Sequence, residues 1–250
     1  MNPIAITGIV FACIFGGAML GMLIRSRLPQ HHLSADSKDT VKVGMGLIAT
    51  MSALVLGLLV ASAKSTYDTQ RNGLAQMAGN IVFLDRTLAL YGPETKEARE
   101  FLRSTVAGAL ERIWPEESSR SAQMEPTTAP ESLYQKIQEL SPKNDAQRSL
   151  QAQALKINSD FMQTRWLLFA ERGRSIPAPF LVVLVFWLAI LFASFSLFAP
   201  RNASVVVTLL VCALSVSGAI FLILELDRPF AGLLKISGDP LRDALTLLGK

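Results

Sequence analysis

Two adjacent histidines and two nearby aspartates form a cluster whose residue types could bind a metal ion. His31 and His32 lie a few residues before Asp36 and Asp39, and imidazole and carboxylate groups are common zinc ligands. Adjacent side chains point apart in a helix or a strand, which makes a shared metal ion difficult. A pH-sensitive loop, a lipid-headgroup contact or a solvated loop explains the cluster with fewer constraints. We therefore predict no metal site.

Catalytic motifs are missing from the sequence. His31 and His32 are its only histidines, and no G-x-S-x-G turn, P-loop or metalloprotease helix occurs. Each of these motifs places a nucleophile, a phosphate cradle or a metal-bound water where its chemistry requires it. We therefore predict no catalytic residues, no cofactor and no enzymatic activity.

The elements that must position any functional residue are four apolar runs, at 4–24, 43–63, 180–199 and 203–224. Each run has about 20 residues, enough for a helix to cross roughly 30 Å of hydrocarbon. None of them contains an acidic residue, a basic residue or a histidine. This pattern predicts an all-α integral membrane protein with four transmembrane helices. It argues against a proton relay or an ion-coupled carrier, which usually need a charge at mid-membrane.

The charge balance agrees with a membrane location. The chain has 24 basic and 20 acidic residues, a net charge of +4. The excess lies in the short segment with Arg25, Arg27, Lys38 and Lys42. Basic residues at a membrane edge set topology and attract lipid headgroups, so we predict the lipid bilayer and not a nucleic acid as partner.

The polar region between the second and third runs is predicted to be helical. No proline interrupts residues 64–92, and apolar residues recur there at spacings of three and four. They are Leu74, Met77, Ile81, Leu84, Leu88 and Tyr91. We predict one continuous helix over 43–91, and these apolar residues form a seam that could order several copies of the chain around an axis. Further helices are predicted over 95–114, 131–140 and 144–172, with a loop over 116–130.

These elements give four predicted parts. The first pair of transmembrane helices occupies 1–63, with the loop between them ending at Lys42. The extramembrane helical region occupies 64–177, and the second transmembrane hairpin occupies 178–225. The tail occupies 226–250 and contains a short amphipathic helix that could lie on the membrane surface or dock against the soluble helices.

The second run has a face of small residues. Its members are Gly46, Ala49, Ala53, Gly57 and Ala61. Small residues four apart let another backbone approach closely. Two interpretations stay open. The face packs against another helix of the same chain, or it lines a pore or packs around a symmetry axis.

Two further patterns are weaker. Gly17 and Gly21 form a G-x-x-x-G pair in the first run, which is typical of helix packing. Glu225, Asp227 and Arg228 follow the fourth run. They fit an interfacial ion pair, or, in an oligomer, a charged ring that selects ions.

Several segments carry a family resemblance. They read RLPQHHLSADSKDTVK at 27–42, GMGLIAT at 44–50, ALVLGLL at 53–59, ASAK at 61–64 and LDRPF at 226–230, with Gly232, Pro240 and Leu241 after them. Over essentially its whole length the sequence resembles the bacterial bestrophin-like family. The wider architecture is similar to that of bestrophins, which are pentameric anion channels with a helical cytosolic region between spans two and three. The chain departs from them in lacking an acidic calcium-binding run and any phenylalanine in 43–63.

The resemblance implies an oligomeric ion channel in a bacterial inner membrane. With four spans, both termini and the helical region share one side, and we predict the cytoplasmic side. The partners would be other copies of the chain and small ions. The alternative is a non-conducting membrane scaffold or sensor whose helical region binds a partner.

Overall fold

The computed structural model describes residues 2–27, 35–115, 129–171 and 177–249. These ranges contain eight α-helices and no β-strand, so the all-α prediction is confirmed. The helices are α1 (Pro3–Arg25), α2 (Ala35–Tyr91), α3 (Lys96–Ile113), α4 (Ala129–Gln138), α5 (Asp145–Glu171), α6 (Ala178–Phe198), α7 (Ala203–Leu226) and α8 (Asp239–Leu247).

Four helices are long and apolar enough to cross a membrane: α1, α2, α6 and α7. The four-span prediction is therefore confirmed. The predicted end of the first loop at Lys42 is wrong, because α2 begins at Ala35. The polar residues after Ala35 include no proline, and Lys42 pairs with Asp39 one turn earlier at 3.0 Å. An apolar run therefore marks the membrane-crossing part of a helix and not its start.

Helix α2 ends where the sequence predicts, at Gly92 and Pro93. Gly92 has a φ of 136°, a region that residues with a side chain rarely adopt. A short 3₁₀ turn, Pro93–Thr95, follows. The buried Thr95 hydroxyl donates to the carbonyl oxygens of Leu88 and Gly92 at 2.6 and 2.8 Å. It satisfies carbonyl groups at the end of the helix that have no partner within it.

The chain forms two compact units. The first comprises Met1–Thr66 and Arg174–Asp227, and the second comprises Tyr67–Gly173 and Arg228–Lys250. The division falls inside α2, so its first half belongs to the membrane unit and its second half to the extramembrane unit. The tail belongs to the second unit.

In the first unit, α1 packs on α6 and α7 around a core of aliphatic residues that includes Ile14, Leu184 and Ile220. Close approach of α1 to α6 depends on glycine. A methyl group on Gly17 would lie 2.8 Å from the carbonyl oxygen of Ala189. The packing role predicted for the G-x-x-x-G pair matches this geometry.

In the second unit, the predicted seam of α2 forms part of the chain's own core. Leu74, Ile81, Leu84, Leu88 and Tyr91 are all buried. The four aliphatic residues among them pack with residues of α3, α4, α5 and the tail. The expectation that this seam orders several copies is therefore wrong. Apolar residues at spacings of three and four show which face of a helix is buried. They do not show whether that face packs against the same chain or against another copy.

The tail packs into the core of the second unit. Leu241 and Ala244 on α8, and Leu248 directly after it, are buried there with residues of α3. The indole nitrogen of Trp114, at the end of α3, donates to the carbonyl oxygen of Ile236 at 2.9 Å. Of the two predicted locations for the tail, the structure shows docking against the soluble helices.

The tail also reaches a buried ion pair. Asp85 on α2 is 1% exposed and accepts two hydrogen bonds from the guanidinium of Arg99 on α3, at 2.8 and 2.9 Å. The backbone N–H of Gly249 donates to the same carboxylate at 3.3 Å. The hydrogen bond from Arg99 to Asp85 raises the pKa of Arg99, so this arginine keeps its charge. One carboxylate thus connects three segments of the second unit.

The remaining predictions fall close to the observed elements. Helices α3 and α4 begin and end within two residues of their predicted limits. Asn144 caps α5, since its Oδ1 accepts from the N–H of Gln147 at 2.8 Å. Most of the predicted 116–130 loop lies outside the described residues, and its last two residues belong to α4.

Candidate functional site

The membrane half of α2 has three faces of different character. Successive residues of an α-helix are rotated by about 100°, which places the three faces roughly 120° apart. The first face is covered by the first unit itself. Its members Met45, Ser52, Leu59 and Ala63 are buried, and the last two pack with residues of α1, α6 and α7.

The second face carries large apolar side chains. They are Leu47, Met51, Leu54 and Leu58, which are 65%, 43%, 69% and 64% exposed. Lipid tails are as apolar as leucine, so this face is suited to contact with the hydrocarbon of a bilayer.

The third face is the small-residue face, defined as Gly46, Ala49, Ala53, Gly57 and Ala61. All are exposed except Ala49, which is half-buried. A methyl group on Gly46 or Gly57 would meet no atom of the described residues within 4 Å, apart from the helix's own backbone. The described part of the chain therefore leaves this face largely uncovered.

The same face has little hydrogen-bonding capacity of its own. The hydroxyl of Thr50, which borders it, donates to the carbonyl oxygen of Gly46 at 2.9 Å. Such a bond within the helix satisfies the hydroxyl and leaves the surface formed mainly by methyl groups and backbone. Such a surface could lie against another helix or a file of hydrated ions.

The loop cluster is only partly described. His31 and His32 lie outside the described residues, and so does the side chain of Asp36. Asp39 lies in α2 and not in a loop, and its exposed carboxylate pairs with Lys42. The described residues contain no group of three or more potential ligands that could hold a metal ion.

The charges after the fourth run do not share one environment. Glu225 is buried in the first unit. Asp227 follows the end of α7, where its backbone N–H donates to the carbonyl oxygen of Ile223 at 3.1 Å. Arg228 is exposed and belongs to the second unit. A buried Glu225 gives no support to a ring of solvent-facing carboxylates.

Two exposed residues on the extramembrane half of α2 were missed by the sequence analysis. Phe83 and Leu90 are 52% and 75% exposed, and they lie on the face opposite Leu74 and Ile81. They are seven residues apart and therefore lie nearly above one another on the helix. Their apolar type and their spacing were visible in the sequence, but the apolar seam on the other face dominated the pattern.

The fold defines a four-span, all-α membrane protein with a helical region between spans two and three. A comparison with protein-family models matches residues 12–241 to the bestrophin-like domain. The chain therefore belongs to the bestrophin-like family. Comparisons with curated proteins and with solved structures gave no match.

Proposed function

We propose that the protein is an oligomeric ion channel whose pathway is lined by the small-residue face of α2. The observation that carries this proposal is the contrast between the three faces. One face is covered by the chain, one has large side chains suited to lipid, and the small-residue face is left largely uncovered by the described residues. In copies of the chain arranged around an axis, this third face would line the pathway.

The extramembrane half of α2 supports assembly. Phe83 and Leu90 form an apolar strip that the described residues of the second unit leave exposed. Exposed apolar side chains on a water-facing surface favour contact with another protein surface. A second copy of the chain provides an identical strip, so a symmetric assembly would bury it without a different partner.

The charge near the small-residue face favours anions. Lys64 follows Ala61 on nearly the same side of the helix and is exposed. Repetition of one basic residue around an axis creates a positive ring, which attracts anions and repels cations. This inference agrees with the anion conduction of the bestrophins that the family resembles.

We place the protein in a bacterial inner membrane with its helical region in the cytoplasm. The basic residues near the span ends are nearly balanced between the two sides, so this orientation is proposed from the resemblance to bestrophins. A cysteine introduced at position 120 should react with an impermeant thiol reagent from the cytoplasmic side only. Reaction from the periplasmic side would reverse the assignment.

Replacing Gly57 with Trp should abolish the conductance of the protein in planar bilayers. An indole on the small-residue face would fill a narrow pathway. The matched control is Leu58→Trp, at the same depth on the lipid-suited face, which should conduct like the wild type. A wild-type protein that conducts nothing under any ion gradient would overturn the proposal, and so would equal effects of the two substitutions.

A non-conducting scaffold or sensor is the second candidate, and the exposed strip of Phe83 and Leu90 would then bind a different protein. A protein that stays monomeric in mild detergent would favour this candidate over the channel, since a single copy with four spans offers no obvious pathway.

A further inference from the structure

The second unit contains an apolar cavity that the proposed channel function does not use. It lies between α2, α3 and α5 and is closed on one side by the tail. Its walls include Leu74, Val106, Phe161, Leu168, Phe230 and Leu241. Most of these side chains belong to the core, so the cavity is part of the folded unit and not a gap between loops.

The size of the cavity limits what it can hold. Its volume is about 90 Å³, and the described residues leave it partly open. An enclosed apolar cavity of about 150 Å³ in another protein binds benzene. The cavity here is smaller, so it can hold a short aliphatic chain or part of one aromatic ring, with the rest of the ligand at the opening. A two-chain lipid is too large.

Two arginines give the cavity a polar edge. Arg112 on α3 and Arg165 on α5 both line it, and Arg112 is exposed whereas Arg165 is partly buried. A guanidinium group binds a carboxylate through two parallel hydrogen bonds. The cavity thus combines an apolar interior with groups that recognise an anion.

The local charges also favour an anion. Burial lowers the pKa of Arg165, the carboxylate of Glu131 opposes that effect, and the like charge of Arg112 adds to it. Among the described residues that shift the pKa of Arg165, Glu131 contributes a negative charge and Arg112 a second positive charge. A ligand carboxylate close to both guanidinium groups would reduce the repulsion between the two arginines.

We propose that this cavity binds a small amphiphilic carboxylate. The ring or short chain lies among the apolar walls, and the carboxylate binds Arg112 and Arg165. The cavity belongs to the second unit and the small-residue face to the first, so the proposed binding does not depend on whether the protein conducts ions.

Thermal melting and calorimetry of the detergent-solubilised full chain test this proposal. Benzoate and hexanoate should bind in the micromolar to millimolar range and raise the melting temperature. Benzyl alcohol lacks the charge, and acetate and inorganic phosphate lack the apolar body. These three compounds should bind much more weakly. Equal binding of benzoate and benzyl alcohol, or no binding of either carboxylate, would overturn the proposal.

Variants locate the binding site. Arg165→Met and Arg112→Met should each weaken benzoate binding by about tenfold, because each removes a charge-assisted hydrogen bond. Lys156→Met on α5 and Arg103→Met on α3 are matched controls outside the cavity and should bind like the wild type. Arg112 is exposed, so its variant should fold even if the Arg165 variant does not. Benzoate binding that is unchanged in Arg112→Met contradicts the proposed site.

Filling the cavity provides an independent test. Ala109 is half-buried and lines the cavity from α3. Ala109→Phe should remove benzoate binding, since the new ring would occupy the space of the ligand ring. A folded Ala109→Phe protein that binds benzoate like the wild type would place the ligand elsewhere.

Discussion

Replacement of Asp85 with Ala should destabilise the second unit by about 3 kcal/mol, the lower part of the range for breaking a buried ion pair. The substitution removes the acceptor for both guanidinium bonds of Arg99 and for the N–H of Gly249. Arg99 keeps partial contact with water, since 22% of its side chain is exposed. Thermal unfolding in mild detergent, followed by circular dichroism, measures the loss.

The control is Asp145→Ala. Asp145 pairs with Arg148 within α5, and its side chain is 98% exposed. Loss of such a pair should change stability by less than about 1 kcal/mol. Asp85→Leu combined with Arg99→Met should recover part of the stability, because no unpaired buried charge is left. Equal melting temperatures for Asp85→Ala and Asp145→Ala would show that the buried pair is not a main support of the unit.

Replacement of Gly21 with Ala should disrupt the packing of α1 on α6 and cost about 1–3 kcal/mol, the usual penalty for overpacking. The added methyl group would overlap the carbonyl oxygen of Ala193 and the hydroxyl of Ser196. One of these contacts is backbone, which cannot rotate away as a flexible side chain can. Resistance of the purified protein to heat or to sodium dodecyl sulfate measures the effect.

Gly16→Ala is the matched control on the same helix. A methyl group there would meet no atom of the described residues within 4 Å, apart from the helix's own backbone. Alanine also favours the helical conformation by up to about 1 kcal/mol over glycine, so this variant should be as stable as the wild type or slightly more so. A Gly21→Ala protein as stable as Gly16→Ala would contradict the close approach of the two helices.

The spans and most helices could be predicted because their causes are local. A charge-free run of about 20 residues has few alternatives to a membrane helix. Gly92 and Pro93 stop α2 through backbone conformation alone. The start of α2 at Ala35 was missed because Asp39 and Lys42 are polar, and polarity excludes a residue from the bilayer but not from a helix.

The partners of each face could not be predicted, because they depend on contacts between distant segments. The apolar pattern of Leu74 and Ile81 fits a core as well as an oligomer seam, and only the packing of α3, α5 and the tail decides between them. The sequence did indicate a buried ion pair at Asp85, since this residue is charged and lies on the apolar face of α2. Its partner Arg99 lies 14 residues further along the chain, beyond a turn.

The small-residue face could be predicted only in part. Its spacing was visible in the sequence, but its exposure depends on where α1, α6 and α7 lie. Those helices cover the face of Leu59 and Ala63 and leave Gly57 open. The structure thus describes this face as largely uncovered, and its role in a pathway stays a prediction.

Thiol block of a cysteine on the small-residue face tests the central proposal most directly. Cys13 and Cys212 are both exposed and are first replaced with Ala. Gly57→Cys and Leu58→Cys are then introduced separately, and currents are recorded in planar bilayers before and after a charged methanethiosulfonate reagent is added. We predict that the reagent stops the current of Gly57→Cys and leaves that of Leu58→Cys unchanged. An unblocked Gly57→Cys current, or an equal block of both variants, would contradict a pathway lined by this face.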